Sequence, residues 1–151
     1  GYDYIMPSPE LTGVQLASIA EHSALADRML IGIHGRTPLM QLLHCPIKEH
    51  KGCQNCMGIA GAVTDEAGRV FPLVNIRYPD NCLVRMLNCR TTDLIDLFDK
   101  ISQTAGYVLN FVGEQIDEVT ERIAAANEAM NGKRQTQYPN STRGHWVRKV
   151  E

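Results

Sequence analysis

The cysteines are the feature that most constrains this chain. All five cysteines of the 151 residues fall within positions 44–89. Seven residues separate Cys45 from Cys53. Cys53 and Cys56 form a C-x-x-C pair, which lets two thiolates converge on one ion or cluster from a tight loop, and Cys82 follows after 25 more residues. We therefore predict one metal centre with the ligands Cys45, Cys53, Cys56 and Cys82.

The identity of the metal does not follow from the spacing. A set of four thiolates suits zinc and a [4Fe–4S] cluster alike, and His44 or His50 could replace one cysteine as a zinc ligand. A redox C-x-x-C is the main rival interpretation, but such a pair normally opens a helix after a strand. Here the pair lies between a loop and a predicted hairpin. We interpret Cys89, in a strand-like run, as a packing residue.

Composition and charge exclude several classes of protein. The hydrophobic fraction of 44% and the charged fraction of 21% are ordinary for a soluble globular domain. The net charge of -2 provides no global basic field for nucleic acid, and no apolar run approaches the ~20 residues of a membrane helix. The first ten residues lack a basic start followed by an apolar core. We expect a cytoplasmic protein with reduced thiols and no membrane partner.

The first 43 residues predict a βαβ unit. Residues 2–6 read as a strand that ends at prolines, and Thr12 with Gln15 forms a capping box that should start a helix. Residues 29–33 are a continuous apolar run, which is typical of a strand buried on both faces. Strand, helix and strand in this order predict parallel strands.

Three polar side chains would then lie at one edge of this sheet. Glu10 follows the first predicted strand, and His34 and Arg36 follow the second. Sites in parallel α/β folds form at the carboxyl ends of the strands. We therefore predict Glu10, His34 and Arg36 as substrate-binding or catalytic residues, with a structural loop histidine as the alternative for His34.

The rest of the chain alternates between strand and helix patterns. Residues 62–73 predict a β-hairpin and residues 82–87 a strand, so 44–90 forms a cysteine-rich unit. Region 91–132 reads as helix, strand and helix, with Thr92 capping a helix over 93–102. The inward face of the last helix, over 114–131, is predicted to hold Ile116, Val119, Ile123, Ala126 and Met130.

The last segment, 133–151, is polar and mixes basic with aromatic residues. This pattern can follow a nucleic-acid backbone and stack bases. The candidate contacts are Arg143, His145, Trp146 and Arg148. The alternative is a tail that packs on a domain outside this chain. Because the chain enters an apolar segment almost at once, we also expect it to be a fragment of a larger parent protein.

Several motifs resemble, in order, those of the collagenase-like peptidase family, peptidase family U-thirty-two. Besides the cysteines, they are SPEL at 8–11, HGRTPLM at 34–40, HCP at 44–46, DEAGRVFPL at 65–73, LN at 87–88 and TRGHW at 142–146. The match spans nearly the whole chain. Cys89 stands where the family usually has serine, and Lys149 where it often has glycine.

The resemblance implies an α/β fold that is the later half of a TIM-barrel-like domain, with an inserted cysteine-rich β-hairpin subdomain. It implies that the four cysteines are the family's metal-binding set. Some members are described as collagenase-like proteases, whereas others hydroxylate bases of RNA or the ring of ubiquinone, and these carry iron–sulfur clusters. The resemblance therefore favours an iron–sulfur cluster over zinc.

Three functions stay open on the sequence. The first is an iron–sulfur protein of an RNA-base hydroxylation system, the second a peptidase, and the third a zinc-clipped binding module without enzymatic activity. The chain contains no H-E-x-x-H motif, which weakens the case for a metallopeptidase. The expected partners are the remaining half of the parent protein, RNA, and a second copy that covers open sheet edges.

Overall fold

The chain has a mixed α/β fold. The computed structural model describes residues 1–22, 24–53, 58–78, 82–101 and 104–147. The strands are β1 (Leu30–Gly35), β2 (Pro38–Leu42), β3 (Gly58–Thr64), β4 (Val70–Arg77), β5 (Cys82–Leu87), β6 (Thr92–Asp93) and β7 (Gly106–Leu109). The α-helices are α1 (Gly13–His22), α2 (Pro46–Lys51) and α3 (Ile116–Met130), and two 3₁₀ helices span Ala26–Arg28 and Ile95–Lys100. None of the described helices is long and apolar enough to cross a membrane.

The chain divides into two compact units. The first unit combines Gly1–Gly35 with Thr91–Glu151, and the second is Arg36–Arg90. The predicted cysteine-rich region, 44–90, lies within the second unit. Each unit has its own sheet, with the strand order β6-β1-β7 in the first and β2-β5-β4-β3 in the second. Neither sheet closes into a barrel within the described ranges.

The sheet of the first unit is mixed. β1 pairs with β7 in parallel, and it pairs with β6 antiparallel through His34 and Asp93. Ahead of α1, Ile5 forms a parallel bridge with Met29. The parallel direction predicted for the first βαβ unit is therefore confirmed, but the predicted strand over residues 2–6 is reduced to this one bridge. β1 is also less enclosed than predicted, since Gly32 is exposed.

Helix α1 begins where its capping box predicts. The Thr12 N–H donates to Gln15 Oε1 at 2.9 Å, and the Gln15 N–H donates to Thr12 Oγ1 at 3.3 Å. These bonds satisfy backbone donors that the first turn of a helix leaves without partners. At the next position, the Gly13 N–H donates to the Trp146 carbonyl at 3.0 Å. Residues 133–147, the closing segment, are thereby hydrogen-bonded to the start of α1.

Two helix predictions in the first unit are wrong in detail. Thr92 and Asp93 form β6 instead of starting a helix, because both pair with β1, and the helix that follows is the 3₁₀ helix Ile95–Lys100. In α3 the buried residues are Arg122, Ala125, Ala126 and Ala129. Of the predicted face, Ala126 is buried as predicted and Val119 is half-buried, whereas Ile116, Ile123 and Met130 are 75%, 46% and 56% exposed. Small alanines let α3 approach the core closely, which large side chains would prevent.

The second unit is an antiparallel sheet. β3 and β4 form a hairpin that pairs Thr64 with Val70, and β5 pairs with both β4 and β2. Gly68 in the turn has a φ of 76°, a conformation that favours glycine. Asp65 stabilises the turn by accepting backbone hydrogen bonds from Ala67 and Arg69. The bond from the Arg69 N–H lowers the pKa of Asp65. The predicted hairpin and the strand over 82–87 are confirmed.

The contact between Gly13 and Trp146 leads to a stability prediction. A Cβ atom at Gly13 would come within 2.6 Å of Cε2 of Trp146. In open space alanine would stabilise a helix by up to about 1 kcal/mol relative to glycine. Here we expect Gly13→Ala to lower the free energy of unfolding by about 1–3 kcal/mol, because the indole must shift. Urea unfolding followed by the fluorescence of the single tryptophan measures this change.

Val14→Ala is the matched control, because Val14 lies beside Gly13 in α1 and is 80% exposed. We expect it to change the free energy of unfolding by less than about 0.5 kcal/mol. If Gly13→Ala were as stable as this control, the close packing of Trp146 on α1 would be wrong.

Candidate functional site

Three of the four predicted metal ligands line one cavity in the second unit. The cavity has a volume of about 580 Å³, and Cys45, Cys53 and Cys82 all contribute to its wall. Cys45 and Cys82 are half-buried and Cys53 is exposed, and all three are free thiols. Cys56 lies outside the described residues. The side chains of His44, Lys48 and Glu49 line the same cavity.

Local structure explains how distant cysteines come to one place. Cys45 immediately precedes α2, whose first position is proline, a residue preorganised for the start of a helix. Gly52 ends α2 with a φ of 73°, and Cys53 follows directly. The short helix therefore holds one cysteine at each end. Cys82 opens β5 opposite Arg77 of β4, so the sheet supplies the third thiol.

Helix α2 contacts the sheet at a glycine of β3. A Cβ atom at Gly61 in β3 would lie 3.7 Å from the Ile47 side chain, an ordinary van der Waals distance, so α2 lies close to the sheet at this point. Asn75 of β4 is buried at 6% exposure and also lines the cavity. One wall of the cavity is thus the end of the sheet, and the other is α2 with the residues that flank it.

The donor chemistry fits a metal centre, and the geometry of a complete ligand set is not described. Free thiols in one cavity are the soft ligands that zinc and iron–sulfur clusters take. Within the described ranges, no three His, Cys, Asp or Glu side chains are grouped so that they could hold a metal ion. The nearby His44 is paired with Glu49 at 3.3 Å. The assignment of the four cysteines therefore stays a prediction.

A second chemical feature lies in the first unit, where His34 and Asp93 form a buried pair. His34 Nδ1 is 2.7 Å from Asp93 Oδ2, and the two side chains are 1% and 0% exposed. The other carboxylate oxygen, Oδ1, accepts the backbone N–H of Ile95 at 3.2 Å. The distance between Nδ1 and Oδ2 is that of a strong hydrogen bond.

Two aromatic rings lie near this imidazole, and an arginine lies over one of them. The ring centroid of His34 lies 5.1 Å from that of Phe111 and 5.8 Å from that of Tyr138. The guanidinium carbon of Arg122 stands 4.3 Å from the centroid of the Tyr138 ring. Burial raises the pKa of Tyr138 above its ordinary value of 10.0, with Glu118 adding to this effect. The Tyr138 hydroxyl therefore stays neutral at physiological pH.

The predicted trio of Glu10, His34 and Arg36 stays a prediction, because these residues come from both units. The Glu10 side chain is exposed, whereas His34 is buried. Arg36 belongs to the second unit, where its guanidinium donates to the carbonyl oxygens of Asn88 and Cys89 at 2.9 and 2.7 Å. That contact fastens the start of the unit to its end.

The closing segment is built into the first unit. Arg143 holds the carboxylate of Asp96 with both terminal nitrogens and also donates to the Asp93 carbonyl. Trp146 packs against the hydrophobic core, and His145 is half-buried. Arg148 lies outside the described residues. The prediction that these residues contact nucleic acid is not tested by their placement, although Arg143 already has a carboxylate partner.

Asp93, Arg122 and Tyr138 were not predicted as members of a polar cluster. Asp93 carried only a weak signal, as an acidic residue directly before the apolar residues Leu94 and Ile95. Arg122 had a weaker signal in the alanines that follow it, which indicate close helix packing. Tyr138 had none, because its contact with His34 joins residues that are far apart in the chain.

Comparisons of the chain with protein-family models, with curated proteins and with solved structures find no match. The resemblance to the collagenase-like peptidase family therefore rests on the sequence motifs alone. Any function must be argued from the residues and their contacts.

The buried pair leads to a second stability prediction. Asp93→Asn removes the charge and turns one acceptor into a donor. Either one of the two hydrogen bonds of the side chain is lost, or the His34 proton moves to Nε2, which has no hydrogen-bond partner among the described residues. We expect the free energy of unfolding to fall by about 1–3 kcal/mol, the cost of one orphaned buried polar group. Urea unfolding monitored by Trp146 fluorescence measures it.

Asp99→Asn serves as the control, because Asp99 is exposed in the 3₁₀ helix of the same unit. It should change stability by less than about 0.5 kcal/mol. Equal effects of the two substitutions would mean that the His34–Asp93 contact does not stabilise the fold.

Proposed function

We propose that this chain is part of an iron–sulfur protein of the collagenase-like peptidase family that acts in the hydroxylation of RNA bases. The observation that carries the proposal is the cavity lined by Cys45, Cys53 and Cys82, thiols that are far apart in the sequence. If the cysteines served only in packing, we would not expect three of them to line the same cavity. The family motifs supply the link from such a thiol set to hydroxylation.

Cys45, Cys53, Cys56 and Cys82 would hold a [4Fe–4S] cluster, and the bound cluster would supply electron transfer. Thiolate ligands and cluster together carry negative charge, which is costly to desolvate. Lys48, on the same cavity, provides a positive charge that offsets it. The half-buried positions of Cys45 and Cys82 would protect part of the ligand set from solvent.

The parallel pairings of the first unit support a half-barrel parent, although β6 is antiparallel to β1. The parallel pairing of β1 with β7 and the parallel bridge from Ile5 to Met29 agree with βα units of a barrel. The antiparallel unit Arg36–Arg90 follows β1 directly, as an inserted metal-binding subdomain would. In this proposal the other half of the parent protein supplies the remaining strands, and the closing segment lies near the RNA.

The zinc-clipped binding module is the second candidate, because the same thiols would bind zinc. It differs from the first candidate in the metal and in the lack of enzymatic activity. The peptidase candidate receives no support from the cavity, since four thiolates would leave a metal no open position for a water molecule.

The proposal predicts the metal content of the chain. Protein purified without oxygen should contain about four iron and four sulfide per chain, the content of one [4Fe–4S] cluster. Cys53→Ser should lower both by more than half, because a lost thiolate weakens the cluster and folding is coupled to metal binding. Elemental analysis with a sulfide assay measures both quantities.

Cys89→Ser is the matched control, because Cys89 does not line the cavity and the family usually has serine at this position. It should retain the full iron content. One zinc per chain with no visible absorbance would favour the binding module. An unchanged iron content in Cys53→Ser would contradict the assignment of Cys53 as a ligand.

A further inference from the structure

Helix α3 of the first unit has two apolar faces. One face packs into the core through three alanines and Arg122. The other face holds the large apolar residues of the helix, which we call the outer stripe: Ile116, Val119, Ile123 and Met130. All but the half-buried Val119 are exposed. Large apolar side chains in solvent and small ones in the core reverse the usual order of an amphipathic helix, so the outer stripe calls for a partner.

The outer stripe has the spacing of a contact between two helices. Ile116, Ile123 and Met130 follow one another at intervals of seven residues, and Val119 lies three residues after Ile116. This is the heptad pattern with which one helix packs its side chains between those of another. At 1.5 Å per residue, the outer stripe is about 21 Å long. We therefore expect an α-helix to cover it.

The residues beside the outer stripe allow two copies of it to meet. Thr120 and Asn127 each lie four residues after an isoleucine of the stripe, and both are exposed and uncharged. In paired helices these are positions at which charges of the two chains come close. Asp117 and Glu121 lie at least about 100° around the helix axis from the stripe. A second copy can therefore approach the stripe without repulsion between like charges.

The charges at the two ends of α3 select one orientation for such a pair. Asp117 and Glu118 lie in the first turn, and Lys133 and Arg134 follow the end of the helix. In an antiparallel pair the acidic turn of one copy lies beside the basic end of the other, and the helix dipoles oppose each other. A parallel pair would bring like charges together at both ends. This self-complementarity favours a second copy of the chain as the partner, closed by one two-fold axis.

We propose that the outer stripe is the interface of a homodimer in which two copies of α3 pack antiparallel, with Ile123 near the two-fold axis. Ile116 of one copy then lies near Met130 of the other, because both are seven residues from Ile123. Two helices of 15 residues form a contact at the small end of specific interfaces, so we expect a Kd on the order of 10–100 μM. The dimer rests neither on the proposed function nor on a bound metal.

Sedimentation equilibrium of the full chain tests for this dimer, at concentrations of about 1–500 μM that bracket the expected Kd. The average mass should rise with concentration towards that of two chains. Ile123→Lys should raise the Kd at least about tenfold, because two positive charges would meet near the axis in an apolar contact. Ala124→Lys is the matched control, since Ala124 is the next residue of α3, is exposed and lies off the outer stripe. It should change the Kd by less than about twofold.

A charge exchange tests the orientation. Arg134→Glu should raise the Kd about fivefold, because a glutamate would then face the acidic turn of the other copy at both ends of the interface. Adding Asp117→Arg to the same chain should restore the Kd to within about twofold of the unaltered protein. Arg134 is chosen over Lys133, which is already paired with Glu128 of its own helix at 2.7 Å.

Circular dichroism checks the fold of each variant, and Ile116→Lys, at the exposed start of the outer stripe, replaces Ile123→Lys if that variant unfolds. A chain that stays monomeric over the whole range overturns the proposal. A dimer that Ile123→Lys leaves intact uses another surface, such as a sheet edge, and also overturns it. Failure of the charge exchange to restore the Kd contradicts the antiparallel arrangement. Iron is measured on the same samples, and a dimer that forms only in iron-loaded protein would count against the helix interface.

Discussion

Asp93 is the point on which the first unit depends, because all its hydrogen-bonding groups are used by different segments. Its carboxylate accepts from His34 in β1 and from the N–H of Ile95, which starts the 3₁₀ helix. Its backbone N–H donates to Thr142, and its carbonyl accepts from Arg143. A fully buried carboxylate is tolerated only with such partners. One residue therefore fixes the imidazole, the following helix and the closing segment together.

The two units carry different chemistry. The unit Arg36–Arg90 has thiols around a cavity, which suits a metal centre that transfers electrons or stabilises the fold. The other unit offers an imidazole and a guanidinium around an aromatic ring. The candidate metal ligands and the buried polar cluster therefore lie in different units of the chain.

Local patterns in the sequence predicted much of the fold. The capping box at Thr12, the hairpin around Asp65 and the strand from Cys82 depend on neighbouring residues, and all are present. Predictions failed where long-range contacts decide the structure. Thr92 has the chemistry of a helix cap, but pairing with β1 makes it part of a strand.

The same distinction explains the sites. The candidate metal ligands could be recognised from the spacing of the cysteines. In contrast, the contacts of Tyr138 with His34 and Arg122 join β1, α3 and the segment after α3. The hydrophobic periodicity of the sequence also did not predict which face of α3 is buried. Arg122 and three alanines face inward there, because close approach to the core outweighs the burial of larger residues such as Ile116. Hydrophobicity alone predicts a face that is rotated from the buried one and shares only Ala126 with it.

X-ray absorption spectroscopy of the chain purified without oxygen tests the central claim most directly, because it identifies the metal and its neighbours in one measurement. The account predicts an iron edge, with sulfur neighbours of iron and a second shell of iron at the short distance typical of a cluster. A zinc edge with four sulfur neighbours and no iron would contradict the iron–sulfur assignment. Iron without sulfur neighbours would contradict the cysteine ligand set itself.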